Sequence, residues 1–245
     1  MSDEGTNARR FLDAFADIED AIKKRHDHTK DQSSERPKFW ALVDTSDDEL
    51  IKKHKETLKR FGNLRNAISH SSYLNGNPIA DPRIDTVEEI ERLRELVIRP
   101  PRLRDALKDH GKPQVFSPDD GIKEFLRIVT ELDFSQAPVA MGNGKYKLIT
   151  TNALARWFGH NRITHGGAVE DTPIDEILKH SESGDRLEML PRDTTVAKAI
   201  NIFAGQDSPT KEPPAALLVM DVPGQPPLLL STRADLAVLY QQLGE

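Results

Sequence analysis

Along the first hundred residues the apolar positions return at helical intervals. Phe11, Phe15, Ile18 and Ile22 form one stripe, which predicts a helix with a single buried face. Ser46-Asp-Asp-Glu49 reads as a capping box opening a second, long helix, with Leu50, Leu58, Phe61, Leu64 and Ile68 on its apolar side. Thr86-Val-Glu-Glu89 opens a third, carrying Ile90, Leu93 and Val97. Arg99-Pro100-Pro101 ends it, because proline removes a donor and disfavours helix in the residue before it. Between the first two helices "KDQSSERPKF" reads as a loop and "KFWALV" as a short helix. Residues 1–99 are therefore expected to form a small helical bundle.

Beyond Pro101 the period changes. "FSPDDGIKEFLRIVTELDF" predicts a helix capped by Ser117, with Pro118 at its first position and two acids in its first turn. "QAPVAM", the turn "GNGK" and "YKLIT" read as a hairpin, followed by the helix "TNALARWFG". The order then recurs. "LPRDTTVAKAINIFA" is turn plus helix, "AALLVMD" and "LLLST" are strands around the turn "VPGQPP", and "RADLAVLYQQL" is a helix. Pro118 corresponds to Pro191 and Thr150 to Thr232, with "GQDSPTKEPP" as an insert in the second copy. The chain is thus expected to be α+β in two domains, residues 1–99 and 100–245, the latter a tandem β-α-β-β-α of units at about 102–165 and 166–243.

Composition narrows the function. The 245 residues are 37% hydrophobic and 30% charged and contain no cysteine, so disulfides and thiolate metal sites are excluded. No apolar run approaches a membrane span, the first residues are acidic and polar, and a cytoplasmic setting is the expectation. The net charge of −6 argues against a generally basic nucleic-acid-binding surface. Locally, Lys52, Lys53, Lys55, Lys59, Arg60 and Arg65 outnumber Glu56 by five between residues 51 and 66. That stretch is either a solvated helix face or an anion-attracting surface.

The repeat resembles the paired CBS domain. The residues that carry the resemblance are "SPDD", "SQAPV" and "LITTNAL" in the first unit and "LPRDTTVAKAI", "LLVMD" and "LLLSTRADL" in the second. The resemblance covers roughly residues 102–243. It implies a nucleotide site at Ser231, Thr232, Arg233 and Asp235, where the hydroxyl and helix start receive phosphate and the carboxylate accepts from the ribose hydroxyls. The first unit has Ala153 where that carboxylate belongs, so one site led by Asp235 is expected, for AMP, ADP or ATP ahead of S-adenosylmethionine or a cyclic dinucleotide. The plainer alternative is that Thr232 and Asp235 only cap the last helix, in a domain pair that serves as a dimerisation scaffold.

Near the end of the second helix, "FGNLRNAISH" holds Arg65, Asn66 and His70. This is similar to the Arg-x(4–6)-His signature of HEPN domains, over about residues 7–99. Many members are metal-independent ribonucleases of toxin–antitoxin and phage-defence systems. RNA carries its own 2′-hydroxyl nucleophile, so the chemistry needs a proton acceptor working near neutral pH and a donor pair for phosphoryl oxygens. Histidine and arginine suit those two tasks. Asn66 would position either the phosphate or His70. Five residues along a helix amount to roughly 140° beyond a full turn and about 7.5 Å of rise, so Arg65 and His70 would face one spot only if the helix loosens or a second chain completes the site. A homodimer agrees with the family.

The competing reading is that an arginine and a histidine at a helix end simply favour its dipole and unpaired carbonyls. His26, His28, His160 and His165 show no recognisable metal spacing, and "MGNGKY" is a hairpin turn rather than a phosphate loop. The sequence therefore predicts a dimeric, metal-independent ribonuclease that responds to an adenine nucleotide, with RNA as substrate and a protein antitoxin or regulator as a further partner. The alternative is a non-catalytic sensor whose helical domain dimerises or docks on a partner.

Overall fold

The computed structural model describes residues 7–27, 38–69, 72–73, 77–78, 80–165, 171–206, 212–222 and 225–243. The chain divides into two compact units, Met1–Pro100 and Pro101–Glu245. The first is mainly helical and the second mixes helices with small sheets, so the chain is α+β.

In the first unit α1 (Asn7–Asp27), α2 (Phe39–Thr45), α3 (Glu49–Lys53) and α4 (Lys55–Ser69) precede a two-residue ladder, β1 (Ser72–Tyr73) with β2 (Asn77–Pro78), and α5 (Ile84–Ile98). The stripe Phe11, Phe15, Ile18 and Ile22 is buried against Val87, Ile90, Leu93 and Val97 of α5 and Leu58, Phe61 and Ile68 of α4. Each such side chain contributes about 1.5–3 kcal/mol of burial. Phe11 meets Phe61 edge to face at 5.6 Å. Gly62 is glycine because Trp40 lies over it: a Cβ there would stand 3.0 Å from Trp40 Cζ2. Arg10 grips Glu91 with two donors, at 3.0 and 2.7 Å, and Arg94 reaches Asp17 at 2.6 Å, so ion pairs flank the α1–α5 seam.

The helix starts differ from the sequence pattern. Asp48, not Ser46, caps α3, accepting from the backbone of Leu50 and Ile51. The long second helix is broken at His54 into α3 and α4. Helix α5 begins at Ile84, two residues before Thr86, with no side-chain cap. The start of α1 is capped from a distance, as Ala8 N donates to Asp81 Oδ1 at 2.8 Å.

In the second unit the elements are α6 (Leu103–Ala106), α7 (Ile122–Glu131), β3 (Gln136–Ala140), β4 (Tyr146–Thr150), α8 (Thr151–His165), α9 (Ile174–Leu178), β5 (Leu187–Pro191), α10 (Val196–Phe203), β6 (Ala216–Met220), β7 (Leu229–Thr232) and α11 (Leu236–Gln242). Strands β3 and β4 pair antiparallel with Gln136 opposite Thr150, and β6 and β7 with Ala216 opposite Thr232. Thr150 and Thr232 therefore occupy the same place in the two halves. A turn through Gly142, Asn143 and Gly144, all at positive φ, closes the first hairpin. Ahead of each half a strand segment pairs parallel, Phe116 with Val139 and Leu190 with Val219. This register sets Pro191 against Ser117 rather than Pro118.

Helix α7 begins at Ile122, after Gly121. "SPDD" is instead a turn in which Ser117 N donates to Asp120 Oδ2 at 2.7 Å. The two halves lock by exchange. Leu103 N donates to Thr194 O and Val196 N to Pro101 O, and in the same way Ile174 N donates to Asp120 O and Ile122 N to Thr172 O, all between 2.8 and 2.9 Å. Each leading helix consequently packs in the other half's core: Leu103 and Leu107 with Val196, Ile200 and Leu239, and Ile174 and Ile177 with Phe125 and Ile149.

Candidate functional site

In the helical unit, α4 carries Arg65 and Asn66 in its last turns. Arg65 Nη1 donates to Asn66 Oδ1 at 3.1 Å, and the guanidinium lies 5.9 Å from the centre of the Phe15 ring. Arg65 is half-buried and Asn66 exposed. His70 lies outside the described residues. The basic stretch is partly neutralised: Lys55 and Lys59 both reach Asp44 at 2.7 Å, and Lys52 reaches Glu49 at 2.7 Å. Hydrogen bonds from Lys55 and then Lys59 hold the Asp44 carboxyl below its ordinary range. His54, at the break between α3 and α4, has no partner for its buried Nε2 among the described residues. Desolvation, with Lys53 and Arg92 nearby, lowers its pKa.

In the second unit a cavity of about 370 Å³ opens where the halves meet, with His110, Lys112, Phe134, Thr232, Ala234 and Asp235 in its wall. That volume is within the usual range of small-molecule sites, roughly 300–1,000 Å³. Each wall element has a local cause. Asp133 takes a left-handed conformation (φ 56°), which turns the chain after α7 and brings Phe134 to the wall with 49% of its surface exposed. His110 ends a single 3-10 turn, Lys108–His110, and Gly111 at φ 69° redirects the chain behind it.

Asp235, 8% exposed, divides its carboxylate between two tasks. Oδ2 accepts from Thr232 N at 2.7 Å and from Ser231 Oγ at 3.2 Å, while Thr232 returns the capping contact. Oδ1 lies 3.6 Å from His110 Nε2. The capping role is therefore real, and it leaves one carboxylate oxygen on the cavity side. Ser231 is fully buried beneath the site. Arg233 does not line the cavity; it donates to the carbonyls of Pro213 and Pro214 at 2.9 and 3.2 Å. Of the four residues expected from the sequence, the structure thus brings Thr232 and Asp235 to the wall and sets Ser231 behind them.

His110, Lys112 and Phe134 were not legible as site residues. They come from loops of the other half, and only Gly111 and the aromatic break after "LD" hint at turns there. Among the described residues no three His, Asp or Glu side chains converge as a metal-binding group, although the rings of His160 and His180 lie 5.3 Å apart. Among them, too, no helix is long and apolar enough to cross a membrane.

No family model matches the chain, and no curated protein matches it. Solved structures do. The crystal structure of CBSX2 in complex with AMP is 18% identical, with 56% of this chain and 96% of that one covered at a TM-score of 0.35. Hypoxic Response Protein I with two coordinated zinc ions is 11% identical, covering 56% and 96% at 0.37. A CBS domain-containing protein of unknown function from Kribbella flavida DSM 17836 is 13% identical, covering 53% and 92% at 0.38.

Proposed function

We propose that this is an adenine-nucleotide-sensing protein, in which the cavity around Asp235 takes AMP, ADP or ATP and the helical unit delivers the response by dimerising or docking on a partner. The observation that carries the reading is the assembly of three complementary groups in one cavity. The outward oxygen of Asp235 is an acceptor for a ribose diol, the exposed Phe134 ring is a face for a base, and Lys112 supplies positive charge for phosphate, with the His110 ring beside it. The resemblance of the repeat to CBS pairs agrees with this ligand class. For binding to become a signal, the nucleotide must favour one arrangement of the protein over another. The diol is the feature to test. AMP should bind at least about tenfold more tightly than 2′-deoxy-AMP, because losing one charge-assisted hydrogen bond costs roughly 1.5–3 kcal/mol. Equal affinity would remove the ribose from Asp235.

A second reading adds catalysis: a metal-independent ribonuclease of the toxin or defence kind, with Arg65 engaging phosphate, His70 moving the proton and Asn66 positioning. It is favoured by the Arg65 guanidinium being held by Asn66 and Phe15 while still half open to solvent. In this reading a second copy of the chain completes each site. Incubation of RNA with metal-free wild type and His70→Ala separates the readings: cleavage by the first only is catalysis, and cleavage by neither leaves the sensor.

A further inference from the structure

The exchange between halves gives the Asp235 cavity a counterpart. It has a volume of about 360 Å³, and Leu148, Glu182, Asp185, Arg186 and Glu212 lie in its wall. Leu148 stands in the first hairpin where Leu230 stands in the second, by the register that matches Thr150 to Thr232. The 3-10 turn Ser183–Asp185 follows α9 as Lys108–His110 follows α6, so Asp185 ends the turn that His110 ends in the other half.

The chemistry at these matched places is inverted. In the second half the carboxylate belongs to the hairpin side, Asp235, and the linker turn offers His110. In the first half the hairpin side has Ala153, and the linker turn offers the carboxylate. Asp185 Oδ1 accepts from Thr150 Oγ1 at 2.9 Å, and Oδ2 accepts from Glu182 N at 2.9 Å and from the Arg156 guanidinium. Arg156 is itself fixed by His180 O at 2.8 Å and Glu182 at 3.2 Å. Thr150 Oγ1 also accepts from Ala153 N at 3.0 Å. Asp185 is only 8% exposed, so its carboxylate is held inside rather than swinging at the surface.

We infer that Asp185 is an internal anion that closes this counterpart site, so that the chain takes one phosphate-bearing ligand, at Asp235, and not two. The inference rests on the nucleotide reading of the Asp235 cavity for the identity of that ligand. The closure itself follows from the Asp185 contacts. The wall carries Asp185, Glu182 and Glu212 together with Lys147 and Arg186, while the Thr150 hydroxyl and the Arg156 guanidinium are taken up by Asp185 and do not line it. Held by Asp185, neither the Thr150 hydroxyl nor the Arg156 guanidinium is offered to a phosphate, so the closure acts as specificity and not only as packing.

The test uses the full chain as wild type, Asp235→Ala, and the Asp185→Ala/Asp235→Ala double variant. Calorimetry with AMP should give one equivalent per chain for wild type, weakened at least about tenfold in Asp235→Ala. Inorganic phosphate should raise the melting temperature of the double variant by about 3 °C more than that of Asp235→Ala, because the Thr150 hydroxyl proton and the Arg156 Nη2 donor then lose Asp185 as their acceptor. Two equivalents on wild type, or one equivalent of undiminished affinity on Asp235→Ala, would overturn the closure. So would a double variant that gains no more from phosphate than its parent. Should the double variant not fold, Asp185→Asn, which removes the charge and keeps the shape, replaces it with the same expected direction. The phosphate arm needs no nucleotide, so a wild type that ignores AMP would sink the nucleotide reading while leaving the closure to be decided by phosphate.

Discussion

Asp235 and His110, from opposite halves of the repeat, face each other across a cavity wall with Oδ1 and Nε2 3.6 Å apart. The carboxylate's second oxygen is consumed by its own helix cap. One residue therefore both closes the capping box of the 3-10 turn Arg233–Asp235 that leads into α11 and presents a single acceptor to whatever enters, and the wall around it sets the chemistry of that guest.

The aromatic part of the wall is the simplest to probe. Stacking of a base on an aromatic side chain is worth about 1–3 kcal/mol. Phe134→Ala should weaken AMP binding by about 5- to 150-fold while Phe134→Tyr keeps it, measured by titration calorimetry. Phe134 is exposed, so its loss should leave the melting temperature nearly unchanged.

The remote cap on α1 predicts a stability effect with no functional counterpart. Asp81→Ala leaves the Ala8 N–H without its acceptor. Loss of such a cap costs about 1 kcal/mol, to be read as a lower urea midpoint with an unchanged slope.

His54 makes the helical unit sensitive to acid. Desolvation, with Lys53 and Arg92 nearby, lowers its folded pKa below the unfolded value, which is about 6.5. As pH falls below that value the unfolded chain takes up the proton before the folded one, so stability is full above it and is lost on acidification. Melting temperatures followed from neutral pH to pH 5 should fall less steeply for His54→Gln than for wild type.

Arg65 distinguishes catalysis from packing. Its contact over Phe15 is partly exposed and is worth about 0.5–1 kcal/mol, so Arg65→Ala should melt close to wild type. General acid–base help of about 10²–10⁴-fold is what His70→Ala would remove from a ribonuclease. Gel assays of RNA cleavage without metal should show both variants silent if α4 carries chemistry, and variants as active as wild type would end that reading.

What the sequence disclosed follows the reach of each signal. The stripe Phe11, Phe15, Ile18 and Ile22 and the hairpin around Gly142 and Gly144 were legible, because helical period and turn chemistry are local. The break at His54 was not, since Leu50 and Leu58 keep their spacing on either side of it. The start of α7 was misread at Pro118 because the Asp120 side chain folds "SPDD" into a turn of its own, a local bond competing with the helix. The short helices α6 and α9 escaped notice, being defined by exchange between the halves, and so did strand β5, whose parallel pairing with β6 is not local in the sequence. Asp235 and Thr232 could be proposed only through the resemblance of their segment to CBS pairs. His110, Phe134 and the Thr150–Asp185 bond depend on chain segments brought together only by folding.

Titration of AMP into wild type and Asp235→Ala by calorimetry bears most directly on nucleotide sensing. The outward Oδ1 of Asp235 predicts saturable binding to wild type and a loss of at least about tenfold in the variant, the cost of one charge-assisted bond. Circular dichroism should confirm that the variant remains folded despite its weakened cap. Unchanged affinity in a folded Asp235→Ala protein, or no binding of AMP, ADP or ATP to wild type, would contradict it.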